Sequence, residues 1–373
     1  MEFTIQKEDF LKGLQKAQSV AEKRSSMPIL SNVLIEAKED AIQLTATDLE
    51  VSFTGKYPAQ IFAQGAITVQ ARKFYEIVKE LPAAEIKVTE KENQWLHISS
   101  ANSEFNLVGL PPDQFPQVAR HDELPWISMD SPLLKDMIDR TIFAVSTEET
   151  RYNLAGIYFE KIFAEEKATG LRLVATDGHR LSMMERPLEN IEQFPFQKGA
   201  IVPRKGMYEV SRLLEEAAEV KVAFDDNNAV FQLAETSLVV RLIDGDFPDY
   251  STVIPREFKI TLEIEREKFM EMLKRMIIIS TDRYRGIRCN ITEGSIEIIS
   301  NNPEIGDARE QMPIAYYGDD MTIAFNPRYF LDALSVMSSE KITINMVDQS
   351  SACIISGNDD EGYCAIVMPM RLE

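Results

Sequence analysis

The segment VATDGHRL, residues 174–181, places three side chains of catalytic type close together. Asp177, His179 and Arg180 could serve as an acid, a base and an anion-binding group, the set that a hydrolase or a phosphotransfer enzyme requires. Gly178 between them favours a turn, and an Asp in a turn often hydrogen-bonds to nearby backbone instead of acting in catalysis. The residue types alone therefore leave both interpretations open.

Two other segments of the chain share this layout and help to decide between the interpretations. Asp48 in LTATDLE (44–50) and Asn302 in IISNNPE (298–304) take the position of Asp177, at intervals of about 125–130 residues, as tandem repeats would. Neither segment contains a histidine, so His179 is not part of the repeated unit. The repeat therefore favours a shared polar turn over a catalytic site.

Each copy of the repeat follows one order of elements, which predicts three tandem domains. An extended stretch leads into an amphipathic helix, strands end at the polar corner, a basic strand-to-helix join follows, and alternating strands close the copy. We predict an α+β fold with domains 1–120, 127–250 and 252–373, each with two helices. Ser131-Pro132 and Asn326-Pro327 are predicted N-cap and N1 pairs. The predicted helix-bearing segments are 3–18, 67–81, 127–142, 200–214, 262–277 and 322–336.

The composition is that of an ordinary soluble globular protein, with 45% hydrophobic and 27% charged residues among 373. No run approaches the roughly 18 apolar residues of a membrane span, and the polar N-terminus MEFTIQKEDF is unlike a signal peptide. Sparse cysteines without CxxC spacing, and three histidines outside any metal-binding pattern, argue against a disulfide framework and a zinc enzyme. We expect a cytoplasmic protein without metal or cofactor.

The charge balance raises a question about nucleic acid. The chain has 40 Lys and Arg against 60 Asp and Glu, a net charge of −20, whereas a DNA backbone attracts basic surfaces. Basic residues do lie opposite the apolar faces of the predicted helices, although ordinary surface helices show this too and acidic residues share these faces. Six helices from three similar copies could still line one surface that holds phosphates without reading sequence. The basic residues concerned are Lys12, Lys16, Arg72, Lys79, Lys205 and Arg212.

Motifs along the whole chain are those of a known family: LTATDLE (44–50), ARKF (71–74), VATDGHRL (174–181), VPRKG (202–206), FPDY (247–250), RGIR (285–288), NNPE (301–304) and VMPMRL (367–372). With them the chain resembles the bacterial DNA polymerase III β subunits, the sliding clamps. The resemblance implies three DNA-clamp-fold domains in a head-to-tail dimeric ring, with helices on the inner face and antiparallel sheets outside. Such a ring encircles duplex DNA and slides without sequence specificity. It is the processivity factor of the replicative DNA polymerase and has no catalytic site of its own.

The resemblance also implies that VATDGHRL belongs to a pocket for short linear peptides. The expected partners are the DNA polymerase III α subunit, the clamp-loader δ subunit, other polymerases and repair proteins. Flexible, polarizable methionines suit a groove that accepts many partners. The residues that match the family pocket are Leu154, Thr176, Gly178, His179, Arg180, Leu181, Pro248, Val253, Asn326, Tyr329, Ser351, Ile366, Met368, Pro369, Met370 and Arg371.

Two further sets of residues follow from the resemblance. The DNA contacts carried over by motif are Arg24, Arg72, Lys73, Arg151, Tyr152 and Lys205. The ring joint is expected to bring Phe105 and Leu107 of one chain against Ile278 and Ile279 of another. Because Glu104 and Arg309 reverse the charges expected there, we hypothesise that they form a swapped ion pair across the joint.

The chain departs from the family pattern near several of these residues. Asn153 replaces the second aromatic residue after Arg151, and Glu148 is unfavourable beside phosphate. Ser251 and Thr252 follow FPDY where an arginine is common, which trims the pocket wall. Glu373 extends past the usual Arg-Leu end.

Besides a clamp and an enzyme, the residues leave open a third function, a repeat scaffold that binds peptides but never DNA.

Overall fold

The computed structural model describes residues 1–22, 27–82, 85–118, 123–148, 150–196, 198–255, 257–281, 283 and 285–371. Within these residues the six predicted helices are confirmed, with an apolar face on each at helical spacing. None of them is long and apolar enough to cross a membrane. They are α1 (Lys7–Val20), α2 (Ala71–Glu80), α3 (Ser131–Asp139), α4 (Arg204–Leu213), α5 (Arg266–Ile277) and α6 (Pro327–Ser335).

The strands of the described residues pair in antiparallel fashion throughout. In chain order they are β1 (Glu2–Gln6), β2 (Asn32–Lys38), β3 (Ala41–Thr47), β4 (Val51–Pro58), β5 (Gln60–Ala63), β6 (Gly65–Gln70), β7 (Glu85–Glu90), β8 (Trp95–Ser100), β9 (Ser103–Leu110), β10 (Ile127–Asp130), β11 (Gly156–Ala164), β12 (Lys167–Thr176), β13 (Arg180–Pro187), β14 (Ala200–Pro203), β15 (Glu219–Phe224), β16 (Asn228–Leu233), β17 (Thr236–Arg241), β18 (Ile260–Glu265), β19 (Ile287–Thr292), β20 (Ser295–Asn302), β21 (Gly306–Pro313), β22 (Met321–Phe325), β23 (Lys341–Met346), β24 (Cys353–Gly357) and β25 (Tyr363–Val367).

The chain forms two compact units, and the first consists of residues 1–134, 192–196 and 205–242. Its strands form one sheet in the order β10-β15-β16-β17-β4-β3-β2-β6-β9-β8-β7-β1-β5. The pairing of β4 with β17 joins the first copy of the repeat to the second. Under this sheet α1 packs against α2, where the rings of Phe10 and Phe74 meet edge to face at 5.1 Å.

The second unit consists of residues 135–191, 197–204 and 243–373. It contains an eight-stranded sheet, β14-β11-β12-β13-β25-β24-β23-β18, and a four-stranded sheet, β21-β20-β19-β22. The pairing of β13 with β25 joins the second copy to the third. Helices α5 and α6 pack together through Phe269 and Phe330, whose ring centroids are 5.9 Å apart.

The predicted helix caps have different outcomes. Asn326 caps α6 as predicted, because its Oδ1 accepts a hydrogen bond from the amide of Arg328 at 3.1 Å. The prediction for Ser131 is wrong. Ser131 is already helical, and the preceding Asp130 accepts the bond from the Leu133 amide at 2.8 Å. A carboxylate one position earlier reaches the orphan amide as well as a serine hydroxyl would.

The polar corners of the first two copies share one backbone geometry, which confirms that Asp177 occupies a turn, and the third copy keeps one of the two hydrogen bonds. Asp48 Oδ1 accepts from the amides of residues 50 and 51 at 3.0 and 2.7 Å. Asp177 Oδ1 accepts from the amides of residues 179 and 180 at 2.9 and 3.0 Å. Asn302 Oδ1 accepts from the amide of residue 304 at 3.0 Å. The residue after each Asp has positive φ, at Leu49 and Gly178.

The two junctions between copies are also built on one backbone frame. In the first, Val51 is in register with Val240, and the Arg241 amide donates to the carbonyl of residue 50 at 2.8 Å. In the second, Arg180 is in register with Val367, and the Met368 amide donates to the carbonyl of residue 179 at 2.9 Å. The two frames therefore match in register and in this backbone hydrogen bond, and they differ in the side chains that they carry.

Candidate functional site

The guanidinium of Arg180 makes several contacts inside the second unit. Its Nε donates to Asp177 Oδ2 at 3.0 Å, its Nη1 to Asp332 Oδ2 at 2.5 Å and its Nη2 to the Phe143 carbonyl at 2.7 Å. The guanidinium also lies 4.8 Å from the ring centroid of Tyr329. Arg180 thus ties the corner of the second copy to helix α6 of the third. An arginine with this set of partners is not free to clamp a substrate anion.

His179 and Asp177 do not form an acid–base pair. Asp177 uses Oδ1 for two backbone amides and Oδ2 for Arg180. The exposed His179 ring instead stacks on Tyr329, with centroids 6.4 Å apart and planes 12° apart. No group of three or more metal-ligating side chains occurs in the described part of the chain. The geometry therefore favours the turn interpretation over the hydrolytic one.

An apolar cluster forms beside this corner and unites residues far apart in the sequence. Leu181 on β13 is in register with Ile366 on β25, and both are buried. Aromatic and aliphatic residues of the segment 247–254 cover the cluster. Its buried members are Val174, Leu181, Ala352, Ile354 and Ile366, and its partly buried neighbours are Tyr158, Met183, Phe247, Tyr250, Ile254 and Cys364.

Exposed apolar side chains adjoin this cluster along the chain. Met368 and Met370, which directly follow β25, are 36% and 38% exposed. The sulfur of Met370 lies so close to Gly286 that a Cβ there would meet it at 3.4 Å. Val253, on the covering segment, is also exposed. Flexible methionines beside a buried apolar cluster can accept an apolar side chain from a partner.

The other predicted pocket residues have structural contacts of their own. Thr176 Oγ1 donates to the Arg180 carbonyl at 2.6 Å and accepts from the Gly178 amide at 3.1 Å. Ser351 Oγ accepts from the amides of residues 347 and 348. Leu154 is buried, and its carbonyl accepts from the amide of residue 146. The exposed or half-buried remainder is Pro248, Pro369 and Arg371.

Most of the basic residues predicted to contact DNA lie in the first unit, and several are paired with acids. Arg72 and Lys73 both bind Glu76, at 3.0 and 2.7 Å. The hydrogen bonds from these two cations lower the pKa of Glu76. Other ion pairs join Lys16 to Glu216, Lys205 to Asp48 and Arg212 to Glu209. Lys12 and Lys79 are exposed.

Three of these basic groups remain largely exposed to solvent. The side chains of Arg72, Lys73 and Arg212 are more than half exposed, and they line a cavity of about 800 Å³. Exposed ion pairs contribute little stability, typically about 0–1 kcal/mol. Phosphates could therefore replace the carboxylates at small cost.

Two further predicted DNA contacts lie in the second unit. Arg151 Nη1 donates to the Asp177 carbonyl at 3.0 Å, and its Nε lies 3.3 Å from Glu148. Tyr152 is largely exposed. Asn153, the departure beside it, donates to the carbonyl of residue 246 at 3.1 Å. The predictions for Arg24 and Glu373 fall outside the described residues.

The residues predicted for the ring joint lie on exposed surfaces of each unit. In the first unit Glu104 and Phe105 are exposed and Leu107 is half-buried on β9, which pairs with β6 only at its last two residues. In the second unit Ile278 is exposed and Ile279 is half-buried. Arg309 already pairs with Glu297 in its own chain, and this hydrogen bond lowers the pKa of Glu297. A swapped pair with Glu104 would have to displace it.

Some contacts at the candidate site were not foreseen from the sequence. Asp332 and the Phe143 carbonyl hold Arg180, and Glu160 and Arg172 hold Tyr250. The alternation of Glu160, Arg172 and Glu185 on neighbouring strands was the available signal for the second set. No local pattern indicates the contacts of Arg180, because its two partners lie 37 and 152 positions away in the sequence.

Three family models match the chain in order. They are the N-terminal domain of the DNA polymerase III beta subunit at residues 1–119, the central domain at 128–249 and the C-terminal domain at 251–371. The "Beta sliding clamp" of Pseudomonas aeruginosa is 38% identical over 376 residues, and that of Vibrio cholerae is 33% identical over 374, each covering both chains completely.

Solved structures agree with these matches. A Caulobacter crescentus beta sliding clamp has a TM-score of 0.95 at 36% identity, covering 100% of this chain and 99% of its own. A Bartonella birtlesii sliding clamp bound to griselimycin has a TM-score of 0.94 at 35% identity, with both chains fully covered.

Proposed function

Since the chain belongs to the family of DNA polymerase III β subunits, we propose that it is the sliding clamp of a replicative DNA polymerase. Two copies close head to tail into a ring around duplex DNA, and the ring tethers the polymerase so that synthesis is processive. The observation that carries this proposal is the match of all three domains in order, with a TM-score of 0.95 to a solved clamp.

Binding to DNA is topological in this proposal, which reconciles it with the net charge of −20. A closed ring needs only a locally basic inner surface that meets phosphates without reading bases. Exposed Lys12, Arg72, Lys73, Lys79 and Arg212 support such a surface. The acidic remainder keeps the rest of the molecule from adhering to DNA.

Retention on circular DNA tests this function directly. The clamp is loaded on nicked circular DNA by a clamp loader and separated from free protein by gel filtration. We expect it to remain on the circle and to be lost when the DNA is cut at one site. Equal retention on cut and uncut DNA would refute topological binding, and no retention on either would favour the peptide-binding scaffold.

The second part of the proposal is that the corner of the second copy and the end of the third form one peptide pocket. The cross-strand pair of Leu181 and Ile366, with Met368 exposed beside it, supports this assignment. Its ligands are short linear motifs of the DNA polymerase III α subunit, the clamp-loader δ subunit, other polymerases and repair proteins. A few apolar anchors would carry most of the affinity.

Fluorescence anisotropy of a labelled Gln-Leu-Ser-Leu-Phe peptide tests the pocket. Leu181→Lys and Met368→Lys should each abolish saturable binding, because each puts a charge where an apolar anchor is needed. Ile305→Lys is the matched control, since Ile305 is an exposed aliphatic residue elsewhere in the same unit. Unchanged binding in either pocket variant would refute the assignment.

We further propose that the chain is an accessory subunit without catalysis of its own, acting in the cytoplasm. The occupied side chains of Asp177 and Arg180 support this. A highly purified sample should show no hydrolase or phosphotransferase turnover. Turnover that His179→Ala removes would overturn the proposal.

The ring joint is proposed to pair β9 of one copy with β21 of another. The open edge of β9 at residues 103–108 and the position of β21 at the end of its sheet support this pairing. Phe105 and Leu107 would then pack on Ile278 and Ile279.

Glu104→Arg or Arg309→Glu alone should weaken the dimer in analytical ultracentrifugation, and the double variant should restore it. Unchanged dimers in the single variants would refute the swapped pair.

A further inference from the structure

A charged row lies on the sheet face that carries the apolar pocket cluster. Arg172 on β12 is in register with Glu160 on β11 and with Glu185 on β13. Its Nη1 donates to Glu160 Oε1 at 2.9 Å and its Nε to Glu185 Oε1 at 2.5 Å. Strand residues two positions apart share a face, so this row stands beside the apolar cluster without interrupting it.

The hydroxyl of Tyr250 is held by this row. It donates to the carboxylate of Glu160 and accepts from Arg172 Nη1 at 2.9 Å. Burial first, and then the adjacent Glu160, raise the pKa of Tyr250 above its ordinary value. Tyr250 therefore stays a neutral donor at physiological pH. Its ring packs on the cluster that contains Leu181 and Ile366.

Tyr250 also fixes the segment that covers the pocket. It begins the short 3₁₀ turn Tyr250–Val253, which Asp249 caps through a bond from the Ser251 amide at 3.1 Å. Phe247 provides a second attachment, stacked on Tyr158 with parallel planes and centroids 4.7 Å apart. Phe247 attaches the segment through ring contacts, whereas Tyr250 attaches it through hydrogen bonds.

We propose that Glu160 and Arg172 are positioning residues for peptide binding. This proposal rests on the proposed peptide pocket. They hold the Tyr250 hydroxyl and thereby set the 247–254 segment in its binding conformation before a peptide arrives. Neither residue touches the peptide. A wall fixed in advance raises affinity because no ordering entropy is lost on binding.

The size of the effect follows from the bonds that are removed. Tyr250→Phe deletes the hydroxyl and keeps the ring, so the apolar packing survives. The hydroxyl makes two hydrogen bonds to charged groups, and we expect only part of their strength, roughly a fivefold to tenfold change in affinity, to reach the peptide. A less ordered 247–254 segment releases the peptide faster. We therefore expect the loss of affinity to appear in the dissociation rate and not in the association rate.

The experiment uses the full-length protein and the labelled Gln-Leu-Ser-Leu-Phe peptide. Affinity is measured by anisotropy, dissociation by stopped flow and unfolding by circular dichroism. The variants are Tyr250→Phe, Glu160→Ala and the conservative Glu160→Gln, whose amide oxygen can still accept from Tyr250. Glu263→Gln is the matched control, because Glu263 pairs across strands with Lys341 at 2.7 Å in the same unit.

We expect Tyr250→Phe and Glu160→Ala to weaken binding about fivefold to tenfold, with Glu160→Gln recovering most of the loss and Glu263→Gln unchanged. Equal peptide affinity in the parent, Tyr250→Phe and Glu160→Ala would overturn the positioning role and leave the pocket intact. A weakening that Glu160→Gln does not relieve would also overturn it. Failure of the parent protein to bind would overturn the pocket itself.

Discussion

Asp360 offers the sharpest test of what holds the second copy of the repeat to the third. Its side chain has 0% exposure and accepts from Arg140 Nη1 at 2.7 Å. It also accepts from the amides of Ser338 and Ser339 at 2.8 and 3.0 Å, and from Ser339 Oγ at 2.6 Å. Arg140 belongs to the second copy and the other residues to the third, so one buried carboxylate joins the two.

The contribution of this carboxylate can be worked out from its pKa. Burial alone would raise the pKa, but the hydrogen bonds from Ser339, Arg140 and Ser338 lower it from 3.8 to about 2. A folded pKa below the unfolded one gives stability that is complete above pH 3.8 and is lost as pH falls towards 2. At about 1.4 kcal/mol per pKa unit, the stabilisation at neutral pH is about 2–3 kcal/mol.

Asp360→Asn should therefore lower the free energy of unfolding by about 2–3 kcal/mol at pH 7, because the amide cannot balance the Arg140 charge. Urea unfolding followed by far-UV circular dichroism measures the loss. Asp136→Asn is the matched control, since Asp136 also binds Arg140, at 2.7 Å, but is 39% exposed; it should cost less than about 1 kcal/mol.

Two results would refute this reasoning. One is an Asp360→Asn variant as stable as the parent at pH 7. The other is a variant that keeps the parent's loss of stability between pH 4 and pH 2, since the titrating carboxylate is then absent and cannot be its cause.

Two other predictions concern packing and reactivity. Gly206→Ala should destabilise the first unit by about 1–3 kcal/mol, because a Cβ at Gly206 would lie 2.2 Å from Val240 Cγ1. Thermal unfolding measures this loss of stability, and a variant more stable than the parent would contradict the close packing. The buried thiols of Cys289 and Cys353 should not react with a disulfide reagent at pH 8 until urea is added, because burial raises the pKa of each; rapid labelling of these two residues in folded protein would contradict their burial. The half-buried thiol of Cys364, whose pKa burial also raises, should react more slowly than an exposed thiol.

The elements of the fold were predictable because local patterns determine them. The spacing of Phe10, Leu14 and Ala17 places one apolar face on α1, and all three residues are buried. The polar corners were predictable for a similar reason, since the side-chain bonds of Asp177 reach two and three residues ahead.

The contacts that unite the candidate pocket were not predictable from local patterns. The bond from Arg180 to Asp332 spans 152 positions, and the bond from Tyr250 to Glu160 spans 90. Arg180 and Tyr250 could each have paired with many other acidic side chains, because the chain has 60 Asp and Glu residues. Only the register of β11, β12 and β13 and the return of the third copy onto β13 select these partners.

The common frame of the two junctions has a consequence for valency. Where the second junction carries Leu181 and Met368, the first carries Ser52 and Arg241 at the equivalent places. A chain that acts as proposed thus offers one apolar docking position, although its backbone provides two. Partners with the same motif must then exclude one another on each chain. Exchange among them is then governed by dissociation rates and local concentration.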